Sequence, residues 1–224
     1  MQFAGTSLWL RLDPDQLAPL TANQSLMHLR HKQPIFYQGD IPQSVYVVKK
    51  GRVCITTYSQ TGMELQLYIA EQGALFGERS CFLDTPHTTS AFAIVDSSLY
   101  AIPIPTFFSR LEASPELTQT VLKILCKKNS MQVHRLLSQS SSDALRRIAR
   151  ILLDMVQEYG TETAEGIKIS IRFSHQDVAN LLHTSRVTVT KAFQFLSGEK
   201  IVLRKQNRII ILDMKRLSDL ASEK

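Results

Sequence analysis

Residues 174–196 read SHQDVANLLHTSRVTVTKAFQFL: two apolar-striped segments interrupted at HTSR, with Arg186, Val187, Thr190 and Lys191 falling on one side of the second. Ser174 followed three residues later by Asp177 is a capping-box pattern, so a helix is expected to start at His175. Its inward residues are expected to be Val178, Ala179 and Leu182. The break His183–Ser185 is too short for an ordinary loop, and Ser185 can cap a second helix. In that helix Val189, Ala192, Phe193 and Leu196 follow i, i+3, i+4, i+7 spacing and form the buried face. Arg186, Val187, Thr190 and Lys191 must then point outward in its first turns. Two helices joined by a three-residue turn, with small Ala179 at their crossing, make a helix-turn-helix. The second helix of such a pair presents its N-terminal side chains to base edges in the major groove. His183, in the turn, is expected at a positive φ with slight strain and no functional role.

The residues just C-terminal to this stretch support the same reading. KIVLRKQNRIIILD, residues 200–213, is two apolar β runs around a KQN turn, a hairpin with a basic tip. As a wing beside the two helices it would place Arg204, Lys205 and Arg208 near phosphates. Between 186 and 208 there are six basic residues and one acid, Glu199. The net charge of +6 is unevenly spread: residues 1–140 hold 12 Lys and Arg against 10 Asp and Glu, and residues 141–224 hold 14 against 10. The candidate DNA-contacting set is therefore Ser174, His175, Ser185, Arg186, Val187, Thr188, Thr190 and Lys191, with the three wing cations.

Toward the N-terminus the chain reads as β from about Pro34 to Pro105. Runs such as SVYVVKK, RVCITTYS and ELQLYIA are rich in Val, Ile, Tyr and Thr. Gly39, Gly51, Gly62 and Gly73 punctuate them at intervals of 12, 11 and 11 residues, the rhythm of stacked hairpins in a β-roll, sandwich or barrel. SQTGME, residues 59–64, is a hairpin tip. DPDQLAPL is a short helix with Asp13 as its cap ahead of Pro14. After Pro115 the pattern changes to ELTQTVLKILCKKNSMQVHRLL, about 22 residues without Gly or Pro and about 33 Å long as a helix. Leu117, Val121, Ile124, Leu125, Lys128 and Met131 are the candidate contacts with the same helix of a second chain, packing on its own domain being the alternative. SQSSSD, residues 138–143, is the linker, and Asp143 caps a further helix, ALRRIARILLDMVQEYG, which Gly160 ends. A strand is expected at IKISIRF. The fold class is α+β: a β-roll over 1–113, a long helix over 114–138, a hinge at 139–143 and a winged helix-turn-helix over 144–224.

Composition excludes several classes. At 44% hydrophobic and 21% charged the chain is ordinary for a globular protein. No apolar run approaches the roughly 20 residues of a membrane span, and MQFAGTSLWLRLD lacks the basic start of a signal peptide, so a cytoplasmic location is expected. Cys54, Cys81 and Cys126 form no C-x-x-C pair and are expected to be buried thiols. A cupin-like metalloenzyme would need clustered His and Glu. His28 and His31 are suggestively spaced, but no second set occurs on the strands; His87 lies in a loop and His134 on the long helix. Neither a metal site nor catalytic residues are expected. A nucleotide-sensing regulatory subunit acting on another protein would need no winged helix.

LFGERSCF after Gly73, RRIARILLDM, and FSHQDVANLLHTSRVTVTKAFQFL together resemble transcription regulators of the cyclic-AMP receptor/fumarate-nitrate reduction (Crp/Fnr) superfamily, over nearly the whole chain. The resemblance implies a homodimer paired through the long helix, a small effector in the β-roll, a two-fold-symmetric DNA site and contact with RNA polymerase. Cyclic-nucleotide-binding relatives have Gly-Glu followed about ten residues on by Arg-Ser-Ala or Arg-Thr-Ala, the Arg neutralising the phosphate. Here Gly77 and Glu78 are followed by Thr89, Ser90 and Ala91, and Arg79, directly after Glu78, is expected to point elsewhere. A buried phosphate without a guanidinium is costly, so cyclic AMP is disfavoured. The cysteine cluster of iron–sulfur relatives is missing. Gly77 and Arg79 stand where haem-sensing relatives place their ligands. The expectation is a cavity formed by Gly77, Glu78, Arg79, Thr88, Thr89 and Ser90 for another small molecule, with no cofactor required, an effector-independent regulator being the alternative. The Val-Thr-Val-Thr run resembles halorespiration regulators, which points to a halogenated phenolic acid. Val187 replaces the Glu of familiar members and Lys191 their Arg, which implies an A·T-richer half-site.

Overall fold

The computed structural model describes residues 9–60, 62, 64–139, 143–171, 173–182, 184–205 and 208–222, with backbone alone at 134, 135 and 137–139. The expected turn at His183, residues 140–142 of the expected hinge, Thr61 and Met63 of the hairpin tip, and the wing tip Gln206–Asn207 lie outside the described residues. So do the side chains of His134 and Leu137. The chain divides into two compact units, 8–133 and 134–224.

The first unit runs β1 (Trp9–Leu10), a 3-10 turn (Pro14–Leu17), α1 (Ala18–Thr21), β2 (Leu26–Leu29), β3 (Pro34–Phe36), β4 (Ser44–Lys50), β5 (Val53–Tyr58), β6 (Glu64–Ala70), β7 (Leu75–Phe76), α2 (Glu78–Leu83), β8 (Ser90–Ala93), β9 (Ser97–Pro103), α3 (Ile104–Ala113) and, as far as Val133, α4 (Pro115–Gln139). Its strands form two sheets, ordered β1-β6-β5-β8-β3 and β2-β9-β4-β7. β4 shows how one strand serves two cores. Successive side chains of a strand face opposite ways. Tyr46 and Val48 join Phe36, Val53, Ile55 and Phe76 inside the roll. Val45 and Val47 join Leu17, Leu20, Phe107 and α4 in a second cluster. SVYVVKK therefore reads as a continuous apolar run because both faces are covered.

Two short helices interrupt the region read as β. Gly77, at φ +88°, turns the chain from β7 into α2, whose six residues are too few to display a helical period. Pro105 belongs to the first turn of α3, where a missing N–H costs nothing, and not to a strand. Gly73, at φ +80°, lies so close to Leu12 that a Cβ would stand 2.2 Å from its carbonyl oxygen. At the N-terminus the expected short helix is the 3-10 turn and α1, with Asp13 accepting from the Asp15 N–H.

α4 turns most of the expected dimer contacts toward the protomer itself. Leu117, Val121 and Ile124 are buried against α3 and β4, and Met131 packs inside the roll. Leu125 is partly buried against the same cluster, and Lys128 is paired with Glu78. Leu117, Val121, Ile124 and Met131 are thus spent on the protomer's own cores, while Leu125 and Lys128 stay half-buried. The face left exposed carries Leu122, Cys126, Asn129 and Val133. Cys126 is thus an exposed thiol, whereas Cys54 and Cys81 are buried as expected.

The second unit runs α5 (Ala144–Tyr159), β10 (Gly160–Thr163), β11 (Gly166–Ile169), α6 (His175–Leu182), α7 (Arg186–Gly198), β12 (Val202–Lys205), β13 (Arg208–Ile211) and α8 (Met214–Ser222). Its sheet is ordered β10-β11-β13-β12. Asp143 Oδ1 accepts from the Leu145 N–H at 2.9 Å and starts α5. The strand expected at IKISIRF is confined to Gly166–Ile169, where Ile167 and Lys168 pair with Ile211 and Ile210. α8 went unread in the sequence: only Leu217 and Ala221 of its nine residues are buried. It is fastened to α5 by a 2.9 Å bond from Arg150 Nε to the Ala221 carbonyl.

Candidate nucleic-acid interface and ligand cavity

α6 begins with a reciprocal cap. Asp177 accepts from the Ser174 N–H at 2.8 Å, while Ser174 Oγ accepts from the Asp177 N–H at 3.1 Å. Val178 and Ala179 are buried, and Leu181 takes the place expected for Leu182, which is half-buried. Ser185 caps α7 by accepting from the Thr188 N–H at 3.0 Å, and the two hydroxyls lie 2.8 Å apart. Val189, Ala192, Phe193 and Leu196 are buried. Arg186 and Lys191 are exposed, Thr190 is half-buried, and Val187 is 63% exposed, far above what an apolar side chain on a core-facing helix would show.

The wing cations are engaged. Arg204 meets His175 Nε2 at 2.8 Å, Lys205 pairs with Glu165 at 2.7 Å, and Arg208 donates to the Ser170 carbonyl. The Lys205 pair is exposed, so it holds the side chain only weakly and can yield to a phosphate. His175 also approaches Thr190 Oγ1 at 3.0 Å and stacks on Phe193 with ring centroids 4.9 Å apart. Burial, then the neighbouring Arg204 and Arg186 charges, lower its pKa from 6.5.

In the first unit a cavity of 390 Å³ opens among β3, β5, β6, α2 and α4. Gly77, Glu78, Arg79, Thr88 and Thr89 line it as expected. Arg79 does not point elsewhere; it lies in the wall and donates to the Thr88 hydroxyl. Ser90 is not part of the lining: it is buried, and its hydroxyl accepts from the Gln38 N–H at 2.9 Å. Its neighbours Thr88 and Thr89, which precede β8, do line the cavity.

Sequence reading missed Phe36, Tyr68, His87, Leu125, Lys128, Asn129 and Gln132 of the wall. His87 stacks on Phe36 at 3.7 Å between centroids, a pairing across 51 residues that no local pattern signals. Burial lowers the His87 pKa from 6.5, with Asp40 opposing. Lys128 meets Glu78 Oε1 at 2.6 Å, sits 5.2 Å from the centre of the Tyr68 ring, and is also bonded to the Tyr68 side chain. Burial alone would lower the Lys128 pKa, but the Glu78 carboxylate and Tyr68 outweigh it and raise it. Glu78 Oε2 is buried with no hydrogen-bond partner. Among the described residues no three His, Cys, Asp or Glu side chains cluster as a metal site, and no helix is long and apolar enough to cross a membrane.

A cyclic nucleotide-binding domain model matches residues 26–114, and a Crp-like helix-turn-helix domain model matches residues 146–220. The chain belongs to the Crp/Fnr family of transcription regulators. It is similar at 24% identity, over 96% of both chains, to a CRP-like cAMP-activated global transcriptional regulator of Mycobacterium tuberculosis. Among solved structures, its fold is similar to the c-di-GMP responsive global regulator CLP of Xanthomonas campestris, with a TM-score of 0.79 at 18% identity over 90% of this chain and 100% of that one. It is likewise similar to CprK complexed with OCPA, with a TM-score of 0.77 at 17% identity over 98% of this chain and 100% of that one. As a Crp/Fnr member this is a DNA-binding transcription regulator. Its β-roll is the cyclic nucleotide-binding-type domain, and α6 and α7 are the helix-turn-helix.

Proposed function

We propose that this regulator is a cytoplasmic homodimer whose two copies of α7 read adjacent major grooves of a palindromic, A·T-rich operator. Its DNA affinity is set by a small effector in the β-roll cavity, its output passes through RNA polymerase, and it acts by binding, without catalysis. The observation that carries the reading is the division of α7. Four apolar side chains are sunk into the unit, while Arg186, Val187 and Lys191 stand in solvent at the helix's N-terminal half. Val187 can touch a thymine methyl but cannot accept from cytosine, which favours A·T pairs. A palindrome requires two copies, and the exposed stripe of α4 supplies a self-complementary face for them.

The effector proposed is an amphipathic organic anion other than cyclic AMP, of which a halogenated hydroxyphenyl acid is an example. Thr89 stands where cyclic-nucleotide relatives carry their phosphate arginine. The walls are largely apolar through Phe36, Ile55, Leu67 and Leu125, and Lys128 and Arg79 outnumber Glu78 in charge. The unpartnered Glu78 Oε2 can accept from an effector hydroxyl.

Selection from a pool of random duplexes, repeated with cyclic AMP and with a panel of halogenated hydroxyphenyl acids, tests both halves. A two-fold A·T-rich site should emerge, strengthened by the acids. Arg186→Ala should lose about 1–3 kcal/mol on that site, while Lys205→Ala weakens all sequences alike and flattens the salt dependence. A pool that stays random under every ligand would overturn the DNA-reading half. Strengthening by cyclic AMP alone would overturn the effector half.

A further inference from the structure

His175 joins the recognition helix to the wing, and the protons of that junction can be assigned one by one. Its Nε2 lies 2.8 Å from a nitrogen of the Arg204 guanidinium. A guanidinium has donors and no acceptor, so Nε2 must offer a lone pair. A neutral imidazole with a bare Nε2 carries its hydrogen on Nδ1, which lies 3.0 Å from Thr190 Oγ1. Thr190 accepts that hydrogen and passes its own to the Arg186 carbonyl at 2.9 Å. A hydroxyl has one hydrogen and two lone pairs. The hydrogen and one lone pair are committed, so a single lone pair is left.

We infer that His175 is a specificity-determining positioning residue: it fixes Thr190 as a hydrogen-bond acceptor, so that α7 reads adenine or cytosine at the base position Thr190 reaches. In the major groove only the adenine N6 and cytosine N4 amino groups donate, while guanine presents N7 and O6 and thymine presents O4 and a methyl. An unconstrained threonine hydroxyl can rotate to donate or accept and so discriminates little. Two features keep this one constrained. The imidazole is stacked on Phe193, which is 4% exposed and anchored in the core of the unit, so the ring plane is set. Burial and two neighbouring arginines favour the neutral ring on which the proton assignment depends. The assignment rests on the DNA-binding reading and adds to it a base preference and the residue that imposes it.

The test is selection from a random-sequence duplex pool at pH 7.5 with the wild-type chain, His175→Phe and Thr190→Val. His175→Phe keeps an aromatic ring against Phe193 and removes both hydrogen bonds. Thr190→Val keeps the shape and removes the acceptor. The wild type should show one position per half-site restricted to A or C on one strand, by roughly fivefold, the discrimination expected of a single hydrogen bond. Both variants should relax that same position and leave the rest of the site unchanged. Retention of the restriction by His175→Phe would overturn the proposal. So would a wild-type preference for G or T at the position that Thr190→Val relaxes. A wild-type chain that enriches no sequence would instead remove the DNA-binding reading itself, a distinct result.

Discussion

Lys128 takes a full charge into the β-roll, and its cost is met locally by the Glu78 carboxylate 2.6 Å away and by Tyr68. The pair is well shielded, with the two side chains 12% and 3% exposed. Removing one partner of such a pair strands the other, which typically costs about 3–5 kcal/mol, whereas removing both costs far less. Lys128→Met should therefore lower the unfolding free energy by roughly that amount, and Lys128→Met with Glu78→Gln should recover most of it. Urea denaturation of the three chains checks this. Equal losses in the single and double variants would mean that the packing of the lysine stem, and not its charge, holds the site together. The same pair joins α4 to α2 at the cavity.

At the scale of the element, α4 is divided by face. Leu117, Val121, Ile124 and Met131 are spent on the protomer's own cores. Leu122, Cys126, Asn129 and Val133 lie outward at intervals of 4, 3 and 4 residues, and Leu136 continues the series three residues on. Alternating threes and fours are the spacing of a two-stranded coiled-coil seam, the arrangement the proposed dimer requires. In the proposed dimer, Val133→Glu would place two like charges opposite each other across that seam. Sedimentation should show the wild type as a dimer and Val133→Glu as a monomer, with the roll and winged units still folded by circular dichroism. A Val133→Glu chain that remains dimeric would assign pairing to another surface.

At the scale of the whole molecule, each unit holds a histidine whose charged form is disfavoured, His87 buried and His175 half-buried. His87 and His175 each have a folded pKa below 6.5, with burial the leading cause in both. Between that lowered value and 6.5 the unfolded chain binds more protons than the folded one, so stability rises with pH through this window. The contribution is complete above about pH 6.5 and is lost as the pH falls through the folded values. Thermal midpoints measured from pH 5 to 7.5 should climb and then level. His87→Asn should flatten the part of that slope owed to the β-roll, and an unchanged slope would exclude His87 as its source.

Much of this was already legible in the residues, because the relevant forces are local. Ser174 with Asp177, and Ser185 with Thr188, cap their helices within three residues. The inward set Val189, Ala192, Phe193 and Leu196 follows from helical geometry alone, and glycine rhythm set the strands of the roll. Packing settled the features that lay across long separations or on the choice between two usable faces. The apolar stripe of α4 was legible, but whether it met a second chain or its own sheets depended on where β4 and α3 stood. Leu181 replaced Leu182, and Arg79 turned into the cavity, because each responds to neighbours distant in sequence. The cavity wall joins Phe36 to His87 and Glu78 to Lys128, and His175 meets both Thr190 and Arg204. Periodicity records which face of an element is apolar; only the packed chain determines what that face, or a charge beside it, will touch.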